Sequence, residues 1–224
     1  MKNSIFIAIA LVLAGCATSE PTVQTGPNAE VSFDGLHRVD NSAFTDAWAD
    51  PDADWARYNQ LLPGKGFFEY RAVKKTVASY SNRPPNADDE FYLDDAQKKR
   101  FEDLVSEVFQ EEMGKSTRFT ETDTPGPNVL LVRGGLHDIV ARVPKELITR
   151  GDIFVQSLGE ATLVLEVVDS MSGEVLARAV ERRALGRRGE MIPANRATSI
   201  AETRNLSRRW ASTLRDGLDN LPTE

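Results

Sequence analysis

Arg178, Arg182, Arg183, Arg187, Arg188 and Arg196 fall within nineteen residues, opposed there only by Glu181 and Glu190, and Arg204, Arg208 and Arg209 follow. Guanidinium groups are planar and permanently charged, and they grip phosphate or carboxylate bidentately. Arg182, Arg187 and Arg188 are therefore the candidate anion-binding residues. The same arginines could instead pair with the acidic flank of a neighbouring helix or stay solvated, and the spacing leaves both readings open. His137 beside Asp138 is the nearest approach to a base with an orienting acid, but adjacent residues on a strand point to opposite faces. His37 has no assigned role. Asp50, Asp52 and Asp54 alternate around Pro51. They lack the glycine and the closing glutamate of a calcium loop, so turn formation accounts for them better. There is no Gly-x-Ser-x-Gly elbow and no Ser-x-x-Lys with a following Lys-Thr-Gly. No catalytic residue, metal site or cofactor is assigned.

The balance of 27 Lys and Arg against 34 Asp and Glu gives a formal charge of −7, which argues against nucleic acid as a partner. A single cysteine excludes a disulfide framework and any multi-cysteine metal centre. With 41% apolar and 27% charged residues, the composition is that of a globular chain.

The one thiol sits at a telling place. Met1-Lys2-Asn3 is a short basic start, followed by an apolar run from Ile5 to Ala14 that is too short to span a bilayer. It reads as a secretory signal. Its end, Leu13-Ala14-Gly15-Cys16, resembles the lipobox of bacterial lipoproteins. That resemblance implies removal of residues 1–15, acylation of Cys16 and attachment to a membrane. Ala17, rather than an aspartate after the cysteine, implies the outer membrane, with the domain in the periplasm. Residues 16–28 hold Pro21, Gly26 and Pro27 and no apolar period, so they read as the acylated cysteine and a flexible tether. A single periplasmic domain is expected over 29–221.

The elements that must position these side chains are unevenly legible. Residues 31–51 mix acids, glycine and scattered aromatics and read as irregular. Tyr58 to Leu62 and Phe67 to Val77 read as strands. A helix is expected from Asp94 to Met113, with Asp94 and Gln97 as a capping box. Phe101, Leu104, Val105, Val108 and Phe109 form its apolar face, and Gly114 its C′ glycine. Asn128 to Val140 reads as a strand whose Gly134-Gly135 marks a bulge or a close backbone approach. Thr162 to Val168 and Glu174 to Leu185 read as a hairpin around Asp169–Gly173. A last helix is expected from Ser199, capped with Glu202, to Leu218, with Ile200, Leu206, Trp210, Leu214 and Leu218 on one side. Two one-sided helices need one sheet face to cover. The expected fold is therefore α+β (or α/β): a two-layer sandwich of a mixed or antiparallel sheet with two main helices on one face.

Phe33-Asp34-Gly35-Leu36, the stretch from Pro51 to Tyr58, and Glu160 to Gly173 with its Asp169-Ser170-x-Ser172-Gly173-Glu174 turn resemble the DUF3313 family of bacterial lipoproteins of unknown function. The architecture is also similar to small periplasmic α/β domains of envelope lipoproteins. Neither likeness supplies a catalytic residue. The expected function is a non-enzymatic binding or accessory module for an envelope component, held to the membrane by its lipid anchor. Its partner would be an envelope protein, peptidoglycan or anionic lipid. The alternatives are a cell-wall glycan hydrolase, which requires converging carboxylates, and a lipid-binding carrier, which requires a cavity.

Overall fold

The computed structural model describes residues 20–73, 89–143, 154–186 and 189–223. In chain order the elements are β1 (Thr22–Val23), β2 (His37–Asp40), β3 (Asp46–Ala49), a 3-10 turn (Trp55–Arg57), β4 (Gln60–Pro63), β5 (Phe67–Tyr70) and α1 (Asp95–Met113). Then follow β6 (Thr120–Glu121), β7 (Val129–Ala141), β8 (Phe154–Val155), β9 (Gly159–Asp169), β10 (Val175–Leu185), β11 (Ile192–Pro193) and α2 (Arg196–Asp219). One mixed sheet runs β1-β2-β3-β10-β9-β7-β4-β6, and β5 extends the same edge of β7 that β4 occupies. Pairing is antiparallel from β1 to β7 and parallel from β7 onward. The small β8–β11 pair stands apart. This is an α+β fold.

Alternation sorts the central strands into two faces. Ala161, Leu163, Leu165 and Val167 of β9 are buried together with Leu130 and Leu136 of β7, Val105 of α1, and Trp210, Leu214 and Leu218 of α2. Both helices thus cover one face, and each fully buried leucine there contributes about 1.5–3 kcal/mol. The intervening residues Glu160, Thr162, Val164 and Glu166 point to the other face. A second cluster, Val155, Leu158, Ile192 and Ala194, fills the space beneath β8 and β11. No helix among the described residues is long and apolar enough to cross a membrane.

α1 begins with the expected reciprocal capping box: the Gln97 amide donates to Asp94 and the Asp94 amide donates to the Gln97 side chain. The hairpin also forms where expected. Asp169 Oδ1 accepts from the Met171 and Ser172 amides at 2.8 and 2.7 Å, and Gly173 takes a φ of +77° that a side chain would resist.

Other readings change. Residues 31–51 are not irregular, because β2 and β3 form there; they sit toward a sheet edge with one open face, so no apolar run announces them. Thr22–Val23, inside the stretch read as tether, pairs with Val39 and Asp40. The strand expected over Phe67–Val77 ends at Tyr70, and residues 74–77 lie outside those described. Gly114 ends α1 with right-handed φ and ψ of −63° and −7°, not as a left-handed cap. α2 starts a turn earlier than expected, because Asn195 accepts the Thr198 amide and Ser199 is already helical. Ile200 is 44% exposed at the edge of the buried face, which passes instead through Thr203 and Ser207 to Trp210 and Leu214.

Candidate functional site

On the face away from the helices, the arginines meet acids. Arg178, Glu166 and Arg133 stand in register across β10, β9 and β7. Arg178 donates to Glu166 at 3.0–3.1 Å and to Asp34 at 2.5–3.1 Å, while its guanidinium lies 5.2 Å from the centroid of the Phe33 ring. Arg133 reaches the same Glu166 at 2.8 Å. Further along, Arg182 shares Asp138 with Arg71, at 2.9 and 2.5 Å, and shares Glu160 with Arg142. Arg71 also takes Glu90 at 2.6 Å. The hydrogen bond from Arg71 is the main reason the Asp138 carboxyl titrates far below the usual carboxylate range, with Arg182 adding to it.

Of the candidate anion-binding residues only Arg182 is described, and it is held by Asp138 and Glu160. Arg178 and Arg182 share a face, as their parity requires, but both are already bidentate or bridging to this chain's own carboxylates. Arg187, Arg188 and Cys16 lie outside the described residues. Arg204 and Arg208 do lean toward the acidic flank of α1, at Glu107 and Glu112. Buried Glu112 also takes Lys115 and Arg215 at 2.7 and 2.8 Å, and the Lys115 hydrogen bond is the main reason its pKa is lowered. His137 and Asp138 do not point to opposite faces. A bulge between His137 and Val140, with Asp138 at φ +54°, turns both outward. They still form no pair, since His137 meets Glu69 at 2.6 Å. His37 Nδ1 donates to the Gln24 carbonyl at 2.7 Å, which ties β1 to the sheet. Asp50 accepts the Asp52 amide at 2.9 Å, as a turn former does. Among the described residues no group of acids, histidines and cysteines could hold a metal ion.

At the hairpin end, Asp169 is buried and receives Tyr58 Oη at 2.7 Å and the Arg57 guanidinium. Burial pushes its carboxyl up, but the bonds from the Ser172 amide, Tyr58 and the Met171 amide more than offset this, and it titrates well below the usual range. Burial, then the hydrogen bond to Asp169, pushes the Tyr58 hydroxyl up to about 12. The sequence reading missed both joints, because their partners lie 112 and 144 residues apart. The signal was present in another form: Asp34, Tyr58 and Asp169 all belong to the stretches that carry the family resemblance.

The helix-covered face holds something different. A cleft of about 640 Å³ lies between the sheet and α1. Leu163, Leu165, Val132 and Leu136 form its floor, and Val105, Phe109 and Met113 its roof. Phe119 and Leu214 line it further, and its polar lining comes from groups such as Ser106, Gln110, Thr120, Glu121 and Arg133. The hollow has a local cause. On β7 the floor position between Val132 and Leu136 is Gly134, where a Cβ would come within 2.2 Å of the Val164 carbonyl. Close strand approach therefore demands glycine, and glycine leaves the floor without a side chain. Gly64 and Gly66, between β4 and β5, likewise leave the rim low. Among the described residues, Glu121 is the one carboxylate that borders the space.

A family model described as a protein of unknown function, DUF3313, matches residues 31–214. No curated protein matches. Among solved structures, a variant PelC dodecamer from Paraburkholderia phytofirmans is 13% identical, covering 75% of this chain and 94% of that one, at a TM-score of 0.35. A Xanthomonas campestris protein of family DUF330 is 15% identical, covering 75% and 87%, at a TM-score of 0.38.

Proposed function

The chain belongs to the DUF3313 family of proteins of unknown function, and from that premise we propose a non-enzymatic accessory module of the bacterial envelope that holds an apolar group in the cleft beneath α1. The observation that carries this reading is the cleft itself. Its volume of about 640 Å³ falls inside the roughly 300–1,000 Å³ range of small-molecule sites, and its walls are largely aliphatic and aromatic. Glycan hydrolysis needs two carboxylates about the scissile bond, one of them with a raised pKa. Among the described residues a single carboxylate borders the cleft. Asp138 and Asp169, the two carboxyls displaced furthest, are displaced downward and held by arginines elsewhere. Cys16, at the end of the lipobox-like run, supplies the membrane anchor, with the domain in the periplasm and the outer membrane as the site of attachment.

Two experiments test this. A fluorescent fatty acid titrated into the purified protein is expected to bind saturably. Val105→Trp, which fills the cleft from α1, is expected to weaken it at least about tenfold, the equivalent of about 1.4 kcal/mol. Absence of saturable binding, or binding indifferent to that substitution, rejects the cleft as the site. For the anchor, Cys16→Ala is expected to abolish acylation and release the protein from the outer-membrane fraction. Unchanged fractionation rejects the anchor.

A further inference from the structure

Three of the large apolar side chains that the surface exposes lie toward one end of the molecule. Phe154 on β8 is 51% exposed, Met191 just before β11 is 56% exposed, and Ile200 in the first turns of α2 is 44% exposed. Val155 and Ile192 face each other across the β8–β11 pair and are buried. Alternation therefore turns Phe154 and Met191 the other way, outward together. α2 begins at this same end, directly after β11, and exposed Arg196 lies four residues before Ile200 on the same helix face. An apolar patch with a guanidinium beside it is the composition of a surface that settles into a headgroup layer.

Where the chain enters the sheet bears on what covers this patch. Arg38 of β2 lies opposite Trp48, which lies opposite Arg178 on β10, while Asp46 lies opposite Val180. β1 runs antiparallel to β2, with Thr22 opposite Asp40, and the Asn41 side chain donates to the Glu20 carbonyl at 3.5 Å. Glu20 therefore stands level with the residues just past Val180, on the side where β10 ends at Leu185, β9 begins at Gly159 and the β8–β11 pair sits. Cys16 lies four positions before Glu20, a step of at most about 14 Å. The β9–β10 turn lies about 24 Å from Glu20's level along the strands, at about 3.4 Å per residue. Measured along the strands, an anchor at Cys16 thus reaches the level of Leu185 and falls short of the level of the hairpin.

We propose that Phe154, Met191, Ile200 and Arg196 form the surface that seats on the phospholipid leaflet holding the anchor, so that the domain stands with the β9–β10 turn pointing away from the membrane. This rests on the acylation of Cys16 proposed above.

The test uses the acylated protein in vesicles of phosphatidylethanolamine and phosphatidylglycerol. Because an acylated Cys16 has no free thiol, Met191→Cys or Met171→Cys each gives one site for an environment-sensitive fluorophore. Met171, 64% exposed in the β9–β10 turn, is the internal control. The label at 191 is expected to shift to the blue and to be quenched several-fold more strongly than the label at 171 by lipids spin-labelled near the headgroup. Phe154→Cys is expected to repeat the result at 191 and guards against a local effect of one substitution. If the protein floats with the vesicles while both ends report water, or both report lipid, the seating is overturned although the anchor stands. A blue shift without vesicles that grows with protein concentration overturns it in favour of contact between copies. Failure to float, with no acyl mass on the Cys16 peptide, removes the anchor and the seating together.

Discussion

The two faces of the central sheet are made of alternate residues of the same strands, yet they differ in kind. Toward the helices β9 presents Ala161, Leu163, Leu165 and Val167, which close a core and leave a hollow at Gly134. Toward the other side it presents Glu166, bridging Arg133 and Arg178 from the flanking strands, and Glu160, which takes Arg182, Arg142 and Arg71. The difference teaches that richness in arginine is not itself a binding surface. A guanidinium on an open sheet face is available only if the adjoining strands bring no carboxylate into register, and here they do. The vacancy lies on the apolar face, where a side chain is missing.

That contrast can be broken at several points. The largest expected effect is on the helix-covered face. Trp210→Ala removes a side chain that is 2% exposed and leaves buried Glu181 without its 2.8 Å indole donor. A loss of about 3–5 kcal/mol in denaturant unfolding is expected. An unchanged midpoint would show that α2 does not pack there.

Asp169→Asn comes next, at about 2 kcal/mol, because the charge-assisted bonds from Arg57 and Tyr58 weaken together. Its sign with pH follows from the depressed carboxyl. The native group titrates below its unfolded value of about 3.9, so its stabilisation is complete above that pH and fades as pH falls toward the native value. Urea midpoints of wild type and variant are therefore expected to differ at pH 7, with the gap beginning to narrow only below about pH 4 and narrowing further as pH falls toward the native value. A gap of the same size at about pH 5 and at about pH 2 would assign the effect to shape and not to charge.

The smallest effect belongs to the open face. Arg182 is half exposed, and Asp138 keeps Arg71 when Arg182 is lost. Arg182→Gln is expected to cost about 0.5–1 kcal/mol, less in high salt. A cost of several kcal/mol would make this face as structural as the core and would erase the contrast.

What was legible in the sequence was local. The capping box of α1 joins residues three apart, and the Asp169–Gly173 turn encodes its own hydrogen bonds and its own left-handed glycine. β9 and β10 follow from that turn and from their alternation. Even local signals can compete, however: Asn195 and Ser199 both offer a cap, and burial of Trp210, Leu214 and Leu218 does not distinguish them, since either start continues the same helix. Asn195 wins by adding a turn after buried Ala194.

By itself, then, the sequence determined the fold class, the two helices and the central hairpin, because each rests on a period or a cap spanning a few residues. Tertiary structure alone decided which arginines are spoken for, since Asp34 reaches Arg178 from 144 positions away and no spacing announces that meeting. It alone decided that Asp169 joins Arg57 and Tyr58, and that a bulge turns Asp138 to the face of Arg182. It also decided the cleft. A hollow is an absence of atoms among strands and a helix that only folding brings together, and Gly134 reads as space only once Val164 and α1 are beside it.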